Sequence, residues 1–289
     1  MKVTGFTFIK NAVKFQYPIV EAIQSILPLC NEVIIVVGDS TDSTRELVNN
    51  IQPGKIRIID SVWNNNLKEG RVLAAETDKA FKAITTDTDW CFYIQGDEVL
   101  HEDGYEEIVS AMTKWKDVTE VDGLLFKYRH FYGSYDFTGA SSRWYKNEIR
   151  IIKNDSNIFS YRDAQGFRKG GNEKLNVKAL NAFIHHYGWV REPKTMFAKK
   201  QNFETYYEAG SKKEMEKTFE GEFNYSQIDA LKKFTGTHPA VMKPYIQKHN
   251  WQFSFDPSSN KISLKERIKN SIENLTGKRP FDYNNYKII

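Results

Sequence analysis

Residues 90 to 100 read WCFYIQGDEVL, from Trp90 to Leu100. The run from Trp90 to Ile94 is aromatic, β-branched or otherwise apolar, which at this length suits a strand buried on both faces. It stops abruptly on Gln95, Gly96, Asp97 and Glu98. In an open α/β sheet the ends of parallel strands point into the ligand crevice, so acids placed there can hold a metal or a phosphate-bearing substrate. The competing reading is that Asp97 and Glu98 cap a helix expected over Glu102 to Trp115.

Upstream, Val3 to Ile9 reads as a first strand ending at Lys10 and Asn11. Pro18 suits a helix's first turn, and Ile19, Val20, Ile23, Ile26 and Leu27 recur at helical spacing until Pro28. A second strand, Val33 to Val37, runs into Gly38-Asp39-Ser40-Thr41-Asp42-Ser43-Thr44, a turn rich in capping residues, and Arg45 to Asn50 continue as a helix. Lys55 to Asp60 makes a third strand after the Pro53-Gly54 turn. Asn64 to Leu67 form a polar loop, and Arg71 to Ile84 a helix with Leu73, Ala74, Ala80, Phe81 and Ile84 inward. Strand and helix thus alternate up to Trp90, which implies parallel pairing through right-handed crossovers. Phe8, Asp39 and Asp97 then fall along one edge of the sheet.

Downstream the pattern changes. Gly123 to Arg129 and Ile149 to Lys153 read as strands separated by an irregular stretch, His130 to Trp144. That stretch and its border hold Tyr132, Tyr135, Phe137, Trp144 and Tyr145, which suit either an acceptor platform stacking on sugar faces or ordinary core packing. Tyr161 to Arg168 and Phe183 to Arg191 follow. Helices are expected from Pro193 to Tyr207, around Pro239 to His249 and over Leu264 to Leu275.

The chain has 289 residues, 40% of them hydrophobic and 14% aromatic, enough for one large α/β unit with an appendage. No run of 18 apolar residues and no signal-peptide pattern is present, so a soluble chain kept in the cytoplasm is expected. Cys30 and Cys91 sit in apolar surroundings and read as reduced core residues. Residues 1–190 hold 23 Lys and Arg against 25 Asp and Glu, and residues 191–289 hold 18 against 12, so the surplus of positive charge lies in the second segment. A basic excess of that size suits an anionic surface such as a membrane or a phosphorylated acceptor, or simply a solvated face.

Taken together, VIIVVGDSTDST at 33–44, the helix led by Arg71, WCFYIQGDEVL at 90–100 and HHYGWVR at 185–191 resemble a bacterial family-2 glycosyltransferase of the GT-A type. The resemblance spans residues 1–190. It implies an α/β nucleotide-sugar-binding fold, a mostly parallel central sheet flanked by helices, with residues 191–289 as a helical, basic C-terminal extension. Asp39 resembles the acid that reads the nucleobase, with Phe8 packing nearby, although it also suits capping of the helix that follows. Arg71 resembles a polar residue beside the base or diphosphate, with a surface salt bridge as its alternative.

Asp97 falls where the family's Asp-x-Asp motif places its last acid, the ligand of a Mg²⁺ or Mn²⁺ ion on the diphosphate. The first acid is replaced here by Gln95, which with Gly96 is expected against the nucleotide sugar. Glu98 is expected behind the metal ligands. His186 resembles the late histidine that completes the metal site, with His185 as its rival. For the base that deprotonates the acceptor the choice is Asp163, followed by Glu148 and Glu173, although Arg162 can hold Asp163 in a structural pair. The implied activity is transfer of a sugar from a nucleotide-sugar donor to a glycan or lipid-linked acceptor, inverting and metal dependent, in cell-surface polysaccharide synthesis. No nucleic-acid partner is expected, and the basic C-terminal segment implies peripheral contact with the inner face of the membrane. Two other readings stand beside it: a sugar nucleotidyltransferase, although Phe8-Ile9-Lys10-Asn11 lacks the expected glycine-rich loop, and a catalytically silent binding module, favoured by Gln95. Replacing Asp97 by Asn is expected to abolish metal-dependent activity at little cost in stability.

Overall fold

A computed structural model describes residues 1–64, 66–207, 221–249, 251–276 and 284–289. Its first half alternates β1 (Val3–Ile9), α1 (Ile19–Ile26), β2 (Glu32–Gly38), α2 (Thr44–Asn49), β3 (Ile56–Ser61), α3 (Arg71–Lys82) and β4 (Trp90–Tyr93). Within and just after β4, Trp90, Phe92 and Ile94 enter one apolar cluster, while Cys91 and Tyr93 enter another. Side chains of a strand alternate between faces, so an unbroken apolar run is what a strand covered on both sides requires. The first cluster is closed by Ile19, Ala22, Ile23 and Ile26 of α1, and the second by Val72, Leu73, Ala80 and Phe81 of α3. The order β3-β2-β1-β4 is parallel throughout, as the alternation implies.

The second half contains β5 (Glu98–Leu100), α4 (Tyr105–Trp115), β6 (Gly123–Tyr132), β7 (Phe137–Gly139), β8 (Asn147–Lys153), β9 (Ile158–Tyr161), β10 (Gly166–Lys169) and β11 (Glu173–Trp189). It continues with α5 (Pro193–Thr205), β12 (Leu231–Lys233), α6 (Lys243–His249), α7 (Leu264–Thr276) and β13 (Tyr286–Ile288). The sheet extends from β4 through β8, β6, β11, β10 and β9 with mixed directions. Two expectations change here. His130 lies within β6 rather than in a loop, because β6 continues as a parallel partner of β11 as far as Tyr132. The segment Phe183 to Arg191 becomes, as far as Trp189, the end of the 17-residue β11, whose first part alternates buried Leu175 and Val177 with more exposed polar residues.

Residues 191–289 supply α5, α6 and α7, and they also add β12 to β7 and β13 to β11. Parts of the basic segment noted above, residues 208–220, 250 and 277–283, lie outside the described residues. Among the described residues no helix is long and apolar enough to cross a membrane. Cys30 and Cys91 are buried and free.

Candidate active site

A cavity of about 580 Å³ opens where the parallel strands end. The tip of β1 contributes Phe8, Ile9 and Lys10, and the turn after β4 contributes Gln95, Gly96 and Asp97. The end of β11 adds His186, Gly188 and Trp189, α5 adds Lys199, and the β9–β10 turn adds Asp163 and Gln165. Gly96 packs closely, since a Cβ there would lie 2.8 Å from Ile9 Cδ1 and displace the tip of that side chain. The turn is held from behind by Glu98, which accepts from Arg150 Nε and Nη2 at 2.8 and 2.7 Å, from Tyr128 Oη at 2.9 Å and from the Gln95 backbone N–H at 3.1 Å. Glu98 and Arg150 are fully buried, and this two-pronged pair fixes the geometry of the loop that presents Asp97.

One end of the cavity is aromatic. Trp63 stands between Phe8 and Tyr206, with ring centroids 5.8 and 5.2 Å away. Lys10 Nζ lies 5.3 Å from the Trp63 ring and 3.2 Å from Asp39 Oδ1. Asp39 also accepts from the Trp63 backbone N–H at 3.2 Å. Asp39 is therefore one residue behind the lining, holding Lys10 and Trp63, which do line it. Among the described residues Asp39 caps no backbone N–H of α2; Asp42 accepts from the Thr44 N–H instead.

The other end is built for charge. Asp97 Oδ2 accepts from Lys199 Nζ at 2.9 Å, and its Oδ1 lies 3.8 Å from His186 Nε2. Burial would raise the Asp97 carboxyl, but the cations around it, Lys199 foremost and Arg191, override burial and hold the group below the usual carboxylate range. Burial, with Arg191 nearby, lowers Lys199 to about 8 despite Asp97. Lys199 also donates to the Gly188 carbonyl at 2.8 Å. Arg191 donates to the carbonyls of Phe15, Tyr187 and Gly188, and its Nη2 meets no partner among the described residues.

The direction of the hydrogen bonds around His186 follows from its neighbour. His130 and His186 are paired across β6 and β11. His130 Nε2 lies 2.8 Å from the Tyr145 carbonyl, which can only accept, so Nε2 carries the proton. Burial holds His130 neutral, at about 3, leaving a lone pair on its Nδ1. That lone pair faces His186 Nδ1 at 3.1 Å, so His186 is protonated on Nδ1. Burial likewise lowers His186 to about 4, so its Nε2 presents a lone pair toward the Asp97 carboxylate. Two acceptors facing each other across 3.8 Å make a donor set suited to a cation. A bulge keeps this arrangement open: a Cβ on Gly188 would lie 2.5 Å from His186 Cε1 and 3.0 Å from Asp97 Oδ2. Among the described residues no group of three or more His, Cys, Asp or Glu is placed to bind a metal, so the protein would supply two ligands.

The cavity brings together Phe8, Gln95, Gly96, Asp97, His186 and Asp163 of the residues read from the sequence. Gln95 Nε2 is tied back to Tyr93 Oη and the Ala164 carbonyl. Asp163 sits in a tight turn flanked by Arg162 and Ala164, both in the left-handed region at φ 56° and 63°. Such backbone is unfavourable for these residues and commonly marks a functional turn. Asp163 accepts from Tyr207 Oη at 2.7 Å. Arg71 lies outside the lining, exposed and 3.5 Å from Glu69. Glu173 is exposed at the far end of β11, and Glu148 is buried behind the wall, where burial raises its carboxyl to about 8. His185 points away from the cavity, toward Arg129 and Tyr187.

Lys199, His130, Trp63 and Arg191 were not singled out from the sequence. Lys199 was legible only as one of many basic residues in a polar helix, and His130 only through a strand pairing the sequence does not print.

A parallel half-sheet whose strand ends carry an aromatic cleft at one side and a carboxylate-histidine pair at the other is the arrangement of an open α/β sheet that receives its ligand beyond the strand ends. The model of glycosyl transferase family 2 matches residues 16–175, more than half of the chain, and the chain belongs to that family. Among solved structures, S. aureus TarS is similar at 13% identity over 70% of this chain and 39% of that one, with a TM-score of 0.44. TarS 1–349 in complex with UDP-GlcNAc matches at 14% identity over 70% and 65%, with a TM-score of 0.42. Glucosyl-3-phosphoglycerate synthase from Mycobacterium tuberculosis in complex with Mn²⁺, UDP and glucosyl-3-phosphoglycerate matches at 17% identity over 46% and 45%, with a TM-score of 0.30. The chain spans less than two thirds of each of these. No curated protein matches the sequence.

Proposed function

We propose that the protein transfers a sugar from a nucleoside-diphosphate donor to a hydroxyl of a glycan or lipid-linked acceptor, with inversion, in the cytoplasm and in the service of cell-surface polysaccharide synthesis. The observation that carries this reading is His186 Nε2 lying 3.8 Å from Asp97 Oδ1 at the base of a cavity whose opposite end is aromatic. Asp97 and His186 would hold Mn²⁺ or Mg²⁺, which when bound supplies charge for the departing diphosphate. Lys199 adds a positive charge beside the same carboxylate. Phe8 and Trp63 suit stacking on a nucleobase, and Lys10, oriented by Asp39, suits its ribose or phosphate. Asp163 takes the proton of the acceptor hydroxyl as that oxygen bonds to the anomeric carbon and the bond to the diphosphate oxygen breaks.

The test is calorimetric titration of the full chain with nucleoside diphosphates, with and without Mn²⁺, followed by a donor-hydrolysis assay. Cation-dependent binding with turnover is the expected result. Binding that ignores the cation and gives no turnover would favour a silent binding module, a reading supported by Lys199 already neutralising Asp97 and by the uncharged Gln95.

A further inference from the structure

α7 carries its apolar residues on the side that faces away from the body. At about 100° per residue, Leu264, Ile268, Ile272 and Leu275 fall within an arc of about 80°. They are exposed, Leu264 by 75% and Leu275 by 86%. The opposite side of the helix is the one that is fastened. Glu266 accepts from the Ser142 backbone N–H and, at 2.6 Å, from Ser142 Oγ, and Glu273 pairs with Lys146. Both acids lie about 150° around the helix from the centre of the apolar arc.

Charge is sorted in the same way. Residues 261–279 contain Lys261, Lys265, Arg267, Lys269, Lys278 and Arg279 against only Glu266 and Glu273. The two acids are spent on contacts with the body, and Arg267 and Lys269 border the apolar arc on either side. A narrow apolar stripe with a cationic rim matches the boundary between lipid headgroups and acyl chains. It does not match a second copy of itself, since the two rims would repel.

We propose that this face of α7 docks on an anionic lipid bilayer, the stripe entering the headgroup boundary and the flanking cations meeting lipid phosphates. The segment that α7 grips, Ser142 to Lys146, includes Tyr145, which lines the cavity. Docking therefore holds a wall of the cavity close to the bilayer, where a lipid-linked acceptor would arrive. That last clause rests on the transfer reading, whereas the docking surface does not.

Flotation of the full chain with vesicles tests it directly. The protein should float with vesicles of phosphatidylcholine mixed with phosphatidylglycerol, less so in added salt, and not with phosphatidylcholine alone. The triple variant Leu264→Gln, Ile268→Gln, Leu275→Gln should bind at least about tenfold more weakly while keeping the parent's melting temperature and nucleotide binding. Arg267→Gln with Lys269→Gln should lose the preference for anionic lipid. The proposal is overturned if the parent stays unbound on mixed vesicles or if the triple variant binds as well as the parent. It is also overturned if sedimentation shows a parent dimer that the triple variant dissolves, which would assign the stripe to a second copy. Loss of nucleotide turnover with vesicle binding intact would strike the transfer reading alone.

Discussion

The two walls of the cavity are made by different means. On the side of β3, β2, β1 and β4, parallel register brings Phe8, Asp39 and Asp97 to one edge, and the side chains need only sit at strand ends. On the side of β6, β11, the β9–β10 turn and α5, the groups arrive through a bulge at Gly188, a left-handed turn around Asp163, and a helix that lays Lys199 on Asp97. The first wall is repetitive and tolerant, whereas the second depends on single contacts. Substitutions on the second should therefore be felt as changes in geometry, and those on the first as losses of one group.

The sharpest probe is the residue the walls share. Asp97→Asn should lower cation-dependent transfer on the order of a thousandfold. Unlike the expectation from sequence, it should also destabilise the chain, because Lys199 would be buried without its counter-charge. Adding Lys199→Met should recover much of the stability and none of the turnover, as read by urea denaturation beside the transfer assay. Next in size is Arg150→Met, which leaves the buried Glu98 carboxyl without its guanidinium partner; the expected loss is about 3 to 5 kcal/mol in urea denaturation. A loss below 1 kcal/mol would mean that the turn holding Asp97 does not depend on that pair.

Acid should reveal the histidines. His186 ionises at about 4 in the fold against about 6.5 in the unfolded chain, so the unfolded state binds the proton first as pH falls. Stability is intact above about 6.5, declines by roughly 3 kcal/mol for such a group as the pH drops to 4, and levels off below that. His238, lowered by burial to about 4, adds to the loss in the same window. Urea melts across that range check the slope, and a flat profile would show that these rings are protonated in the fold. His130→Ala should weaken Mn²⁺ affinity about tenfold in the presence of a nucleoside diphosphate, by freeing the tautomer of His186. His130→Gln, which can still accept from His186 and donate to Tyr145, should recover part of it. Equal affinity in both variants would remove His130 from the site. Smallest of all, Arg71→Ala should shift stability by no more than about 0.5 kcal/mol and leave nucleotide affinity unchanged, given its exposed contact with Glu69. A tenfold loss of affinity would bring Arg71 to the donor after all.

What could be read from the sequence follows the same division. Asp97 was legible because β4 is apolar to its last residue and its neighbours alternate with helices. His186 was legible only through its family motif, since nothing local separates it from His185; the two are told apart by which face of β11 each takes, and that face is set by pairing with β6. His130 was hidden because charged and aromatic residues interrupt the apolar alternation of β6, so its strand reads as irregular. Lys199 could not be found because its partner is 102 residues away in the chain.

Arg191 leaves the base of the cavity with an electrical surplus. Among the described residues its hydrogen bonds go to carbonyls, so together with Lys199 it sets two cations around Asp97. A buried region in that condition should welcome any small polyanion, and inorganic pyrophosphate in a storage buffer ought to raise the melting temperature and compete with the natural ligand. Preparations meant for binding measurements are better kept in chloride than in phosphate.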